Sequence, residues 1–276
     1  MAPPDSSALF ASPSEEVAQL RAELARCHQQ MADMAAAQEA FLRAVSHDLR
    51  APLRHVTSYG TLVREVLGDL PPAVAQGAEV QEALGFLATM DQSARRMGLM
   101  IDGLQTLVRV GRAPLHAGPV PLADAVAQAR TALATHEVGR TVAWQVAPDL
   151  PTLHADPALL QELLAQLLGN ALKFTQPVEK ARIAVLADAS APADHCGFVV
   201  QDNGVGFDPA RASGLFGVFQ RLHREADFAG VGTGLAVCRV IAQRHGAHLS
   251  ATAVPGAGCT VRVAWPAPPP EGAHRT

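Results

Sequence analysis

The chain reads as α+β in two parts, a long helical hairpin followed by a mixed sheet layered with helices. Apolar residues recur at three- and four-residue steps through the first hundred positions. Gly111 and the proline-containing stretch Pro114 to Pro121 then interrupt the pattern, and short β-like runs alternate with helical ones as far as Trp265. A regular helical half and an alternating half separated by a proline-rich break imply separate cores.

In the first part, Val17, Leu20, Leu24, Cys27, Met31, Met34, Phe41 and Val45 follow a heptad seam broken only at Gln38. The stripe continues through Leu49, Leu53, Val56, Leu62, Val63 and Val66, past Pro52, which removes a helical hydrogen bond and favours a bend. Gly68-Asp69-Leu70-Pro71-Pro72 stops the helix, and a second stripe runs from Val80 to Val108. Each stripe is too long to be covered by its partner alone, so two hairpins are expected to pair as a homodimeric four-helix bundle.

Beyond the break the pattern predicts a strand near Leu115 to Val120, a helix from Leu122 to about His136 and a strand from Thr141 to Val146. A helix follows from Pro157 to about Phe174, opened by the Asp156-Pro157 cap and first-turn pair, then strands Ile183 to Ala187 and Phe198 to Gln201. A helix from about Thr233 to His245 and a hairpin of His248 to Ala253 with Cys259 to Trp265 complete one mixed sheet covered on one face by helices. The expected organisation is 1–13 disordered, 14–112 coiled coil and hairpin, 113–266 an α/β sandwich, and 267–276 a disordered tail.

Composition narrows the function. With 276 residues, 49% apolar, the chain can bury a substantial core, and a net charge of −4 without basic runs points away from nucleic acid. Long apolar runs of membrane-spanning length are absent, and Met1 to Pro13 lacks a basic start and an apolar core, so a cytoplasmic protein is expected. Cys27, Cys196, Cys238 and Cys259 lack metal-ligand spacing and read as reduced packing residues.

Four segments carry chemistry. Ser46-His47-Asp48-Leu49-Arg50-Ala51-Pro52 sets a titratable histidine beside a carboxylate, two residues past the seam at Val45, where the imidazole should face solvent. Glu162, Gln166, Asn170 and Lys173 share one helix face, able to hold a hard cation through an amide oxygen and a phosphate through the lysine. In Gln201-Asp202-Asn203-Gly204-Val205-Gly206 a strand runs into a carboxylate that can accept from the amine of adenine. Gly230-Val231-Gly232-Thr233-Gly234 opens a helix with bare N–H groups suited to a polyphosphate, but without the preceding strand or the lysine of a P-loop. Each alone is also what a solvated helix face, a turn or a common helix start looks like.

In this order, the last three segments resemble the ATP-binding domain shared by sensor histidine kinases, gyrase-type ATPases and heat-shock chaperones, a Bergerat-type fold of the GHKL class. With the histidine helix and Leu215-Phe216-Gly217-Val218-Phe219-Gln220-Arg221-Leu222-His223 added, residues 38 to 266 resemble a two-component sensor histidine kinase, most closely the phytochrome-like subgroup. The resemblance implies an ATP-dependent protein histidine kinase with ATP and Mg2+ as cofactors. His47 would accept the phosphoryl group, with Asp48 taking the proton of its other ring nitrogen, and an aspartate on the receiver domain of a response regulator would receive it next. Asn170 would bind magnesium, Lys173 the phosphates and Asp202 adenine. Gly204, Gly206, Gly230, Gly232 and Gly234 would shape the pocket and a lid over about 208 to 229, from which Arg221 would reach the γ-phosphate.

Two positions depart from the family pattern. Gln166 stands where an asparagine is frequent, keeping the amide oxygen as a second metal ligand on a longer arm. Ala51 stands where threonine or asparagine orients the water that removes phosphate from the regulator, so weak phosphatase activity is expected. Two other readings compete. A non-catalytic dimeric scaffold would rest on Gln166, and a GHKL-type ATPase is disfavoured by the His47 seam. With only about 13 residues before the seam, the input signal is unreadable, and a separate sensor protein gripping residues 14 to 45 is one route for it.

Overall fold

The structure, a computed structural model, describes residues 13–191, 195–224 and 227–267. The disorder expected for the two termini lies outside these residues, save that Pro13 already opens a helix. Helix α1 (Pro13–Gly68) runs unbroken through Pro52. It is followed by a single turn, α2 (Pro72–Ala75), and by α3 (Ala78–Arg112), which returns antiparallel along it. Arg50 on α1 donates to Asp102 at 2.7 Å and to Gln105 at 2.6 Å, pinning the register of the pair.

Only part of the hairpin's apolar surface is covered within one chain. Ala94, Ile101 and Val110 of α3 are buried. The seam residues Val17, Leu20, Leu24, Met31 and Met34 remain 47–72% exposed, a continuous stripe at heptad spacing. Among the described residues no helix is long and apolar enough to cross a membrane.

The second part is built on β1 (Gly118–Pro121), α4 (Leu122–Leu133), β2 (Val142–Val146), β3 (Thr152–Ala155) and α5 (Pro157–Phe174). It continues with β4 (Ala181–Ala187), β5 (His195–Asp202), α6 (Gly234–Arg244), β6 (His248–Val254) and β7 (Gly258–Pro266). Five strands form a mixed sheet in the order β2-β4-β5-β7-β6, with only β2 and β4 parallel. Helix α5 packs between α4 and α6 over this sheet.

Three details differ from the sequence expectation. The strand expected at Leu115 to Val120 is Gly118–Pro121, and it does not join the sheet. It pairs antiparallel with β3, an element the sequence analysis did not predict, as a separate two-stranded ribbon. Pro119 and Pro121 explain this, since a proline lacks the N–H that an interior strand must donate. The helix expected to reach His136 ends at Leu133 and tightens into a 3₁₀ turn, Ala134–Glu137, where Trp144 donates to Glu137 at 3.0 Å. A second 3₁₀ turn, Pro209–Gly214, lies in the lid and is capped by Asp208.

Helix α5 dominates the core. Leu159, Leu160, Leu163, Leu164, Leu167, Leu168, Ala171 and Leu172 are all buried, and each buried leucine contributes about 1.5–3 kcal/mol. Its start is fixed by Asp156, whose Oδ1 accepts from Ala158 and Leu159 at 3.0 and 3.1 Å while Oδ2 accepts from His116 at 2.9 Å. The Asp156 N–H donates to His245 at 3.0 Å, and the His245 ring packs 4.7 Å from that of Trp265. One residue thus ties α5 to the interdomain segment, the end of α6 and the last strand.

Burial alone would raise the Asp156 carboxyl, but hydrogen bonds from His116, Leu159 and Ala158 outweigh it and hold the group below its ordinary value. Its stabilisation is therefore present above the ordinary carboxylate range and lost as pH falls through the lowered value. Asp156→Ala should cost about 1–2 kcal/mol in chemical denaturation at neutral pH, and Asp156→Asn, which keeps the cap acceptor, clearly less.

Candidate functional site

The leucine face of α5 leaves one rotation in which its polar stripe can point, and that stripe lines a cavity of about 380 Å³. Gln166, Asn170 and Lys173 enter from α5, and Asp202 and Gly206 from the end of β5 and the turn after it. Arg221, Gly230, Gly232 and Gly234 enter from the lid and the start of α6. The structure thus brings nine of the expected site residues to one cavity, of a size suited to a cofactor. Gly204 stands beside it, packed so closely on the Phe174 carbonyl that a Cβ would lie 2.5 Å away.

Asp202 lines the cavity from the end of β5. Its Oδ1 accepts from the Gly204 N–H at 2.8 Å, and burial pushes the carboxyl up to about 6. At neutral pH it is an acceptor held in an apolar setting, suited to the amine edge of a flat base. Cys259 is also in the wall, and burial pushes its thiol up to about 12, so it stays protonated.

Two cations, Lys173 and Arg221, also line the cavity. Burial, reinforced by the charge of Arg221, lowers Lys173 to about 8. The Lys173 ammonium lies 4.3 Å over the Phe174 ring. Arg221 donates to the Phe228 carbonyl at 2.7 Å and to the Gly230 carbonyl, so its guanidinium braces the lid as well as facing the cavity. Two neighbouring cations raise each other's energy, a cost an anion between them removes. In the lid itself, Phe219 adopts φ 60°, among the described residues a non-glycine outlier of the kind that persists where surroundings over-determine it.

Donors for a hard cation also converge. Gln166 Nε2 donates to Glu162 at 2.9 Å, which turns its Oε1 toward Gly234. A Cβ on Gly234 would lie 2.5 Å from that oxygen, so any other residue there would push the Gln166 amide out of this position. Asn170 borders the same gap, with its Nδ2 3.9 Å from that position. Amide oxygens of Asn170 and Gln166 beside the Glu162 carboxylate suit a magnesium ion that completes its shell with phosphate and water. Among the described residues no cluster of three or more His, Cys, Asp or Glu could hold a metal unaided.

His47 and Asp48 are elsewhere. Their side chains are 88% and 79% exposed on α1, outside the cavity wall. The His47 Nδ1 lies 3.1 Å from Asp48 Oδ1, so the carboxylate can hold the Nδ1 proton and leave Nε2 with a free lone pair. Ser46, beside it, is buried, and Arg50 one turn on bonds Asp102, itself part of the cavity wall.

Several contributors escaped the sequence analysis. Leu99, Asp102, Gly103 and Thr106 of α3 close one side of the cavity. Gly103 lies against Thr233, where a Cβ would come within 2.5 Å, a contact that a glycine inside a helix could have signalled. Arg109 of α3 also pairs with Glu162 at 3.2 Å. Phe174, His223 and Phe228 form a ring cluster at the cavity edge, described below.

Comparison with known proteins agrees with this geometry. Residues 155–269 match the family of histidine kinase-, DNA gyrase B-, and HSP90-like ATPases. The chain is 28% identical over 249 residues to cyanobacterial phytochrome B of Nostoc sp. (strain PCC 7120), covering 90% of this chain and 31% of that protein. It is 32% identical over 229 residues to the sensor histidine kinase TrcS of Mycobacterium tuberculosis, covering 80% of this chain and 42% of TrcS. It thus spans well under half the length of these curated relatives. Among solved structures, full-length ShkA in complex with AMPPNP aligns with a TM-score of 0.55 at 25% identity, over 82% of this chain and 45% of ShkA. Residues 155–269 thus form a domain of the histidine kinase-, DNA gyrase B-, and HSP90-like ATPase family, and with the helical hairpin that leads into it the chain is similar to sensor histidine kinases.

Proposed function

We propose that the chain uses ATP to phosphorylate its own His47 and then passes the phosphoryl group to an aspartate on a response-regulator receiver domain. The observation that carries this reading is the cavity itself, whose wall holds both the half-buried Asp202 carboxylate and the two cations Lys173 and Arg221. That polarity fits adenine at Asp202 and the polyphosphate at Lys173, Arg221 and the N–H groups opening α6. Magnesium, held by Asn170 and Gln166, would neutralise phosphate charge. The Gln166 amide keeps its oxygen turned to the cavity, which supports retained metal use over a degenerate scaffold.

The chemistry asks little covalent work of the protein. His47 Nε2 attacks the γ-phosphorus, the bond to the β-phosphate oxygen breaks and ADP leaves, while Asp48 accepts the Nδ1 proton that the phosphorylated ring gives up. Because His47 stands outside the cavity of its own chain, the reaction requires either a shift of the ATP-binding domain or the histidine of a second copy. A second copy is also what the exposed stripe from Val17 to Met34 asks for, so we read the working unit as a homodimer in the cytoplasm, where ATP is supplied. The same stripe offers a separate sensor protein a handle on the hairpin.

Incubation with γ-labelled ATP and magnesium should label the chain in an acid-labile form, and His47→Gln should abolish the label; an acid-stable label or one surviving in His47→Gln would refute the reading. Lys173 loses its charge as pH rises through about 8, so affinity for AMPPNP should fall across that range in the parent. Lys173→Arg stays charged and should hold its affinity there, as titration at pH 7 and pH 9 would show. Ala51 is exposed one turn after His47 and offers no side-chain hydrogen bond to a water. The parent should therefore remove phosphate from its regulator slowly and Ala51→Thr should do so faster, measured as loss of label from the purified phosphorylated regulator.

A further inference from the structure

Arg221 of the lid and Lys173 of α5 stand side by side in the cavity, yet they belong to segments with no covalent reason to move together. Each contacts one residue of an aromatic cluster, Lys173 through a ring and Arg221 through a backbone carbonyl. Lys173 Nζ lies 4.3 Å over the Phe174 ring, and Arg221 donates to the Phe228 carbonyl at 2.7 Å. His223 completes a triangle with the Phe174 and Phe228 rings. Its ring lies 5.2 Å from Phe174 at 44° and 5.2 Å from Phe228 at 60°, while Phe174 and Phe228 are 5.1 Å apart at 59°. These are tilted and edge-on geometries that aromatic pairs favour. His223 also hydrogen-bonds the Gly206 backbone, so one side chain reaches α5, both halves of the lid and the turn that follows Asp202.

We propose that His223 is a positioning residue of the nucleotide site, its ring fastening the lid that carries Arg221 to the helix that carries Lys173. The inference rests on the reading of the cavity as an ATP site. Burial holds the imidazole below its ordinary value, with the nearby charges of Lys173 and Arg211 acting in the same direction and Asp227 against it. The ring therefore packs uncharged at neutral pH and adds no third cation to the pair. From the edge of the cavity His223 acts on the phosphates through the two cations it aligns. Removing it should weaken binding of a triphosphate and leave the base-reading end of the cavity, at Asp202, intact.

The test is titration of the full chain with AMPPNP and magnesium, and separately with adenosine, for the parent, His223→Ala and His223→Phe. Loss of the ring should weaken AMPPNP about tenfold in His223→Ala, the factor that one strong ring contact is worth. His223→Phe, which keeps the ring, should stay within about twofold of the parent, and adenosine should bind all three alike. Unchanged AMPPNP affinity in His223→Ala would overturn the inference, as would an equal loss in His223→Phe. Adenosine affinity falling in step with AMPPNP would also overturn it, because the whole cavity would then have collapsed. A parent that binds adenosine but not AMPPNP would instead refute the ATP reading on which the inference rests.

Discussion

Helix α5 can bury its leucines in only one rotation, and that rotation aims Gln166, Asn170 and Lys173 into the cavity. The leucine face contributes several times what any single polar contact in the site can, so packing sets the geometry and the polar groups inherit it. Asp156 supplies the matching constraint along the axis. By capping the helix and holding His116 and His245, it fixes where the first turn starts and hence how deep Lys173 lies.

Charge is distributed around this frame with a consistent logic. The cavity wall holds a carboxylate, Asp202, whose burial resists ionisation, and a lysine, Lys173, whose burial resists protonation. Both groups sit closer to neutral pH than in water, so each gains from a ligand that restores its charged form. Histidine chemistry stands apart on an exposed helix with its own carboxylate partner. In the proposed reaction this separation would keep the phosphoryl group from His47 until the domains or subunits move, which would give a signal something to control. The contacts Arg109–Glu162 and Gly103–Thr233 show the hairpin and the ATP-binding domain docked in one such arrangement.

Much of this was legible in the sequence because it is local. Helix α5 was expected at Pro157 to Phe174 and found there, since an Asp-Pro start and a leucine pattern are read over neighbouring residues. The ribbon strand β3 was not expected, because Thr152–Ala155 is four residues long and gains its structure only from pairing with β1. Nor was the wall formed by Leu99, Asp102, Gly103 and Thr106, which a periodic reading assigns to the hairpin alone.

By itself the sequence determined the two-part architecture, the order of the motifs and the residues that converge on the nucleotide cavity, because periodicity, caps and short motifs are written in adjacent positions. Only the tertiary structure decided that α3 closes the cavity, that His47 stands outside it, and that Phe174, His223 and Phe228 meet. Those three rings are brought together by the folding of the lid onto α5. Contacts of that separation depend on how whole elements pack, which no local pattern encodes.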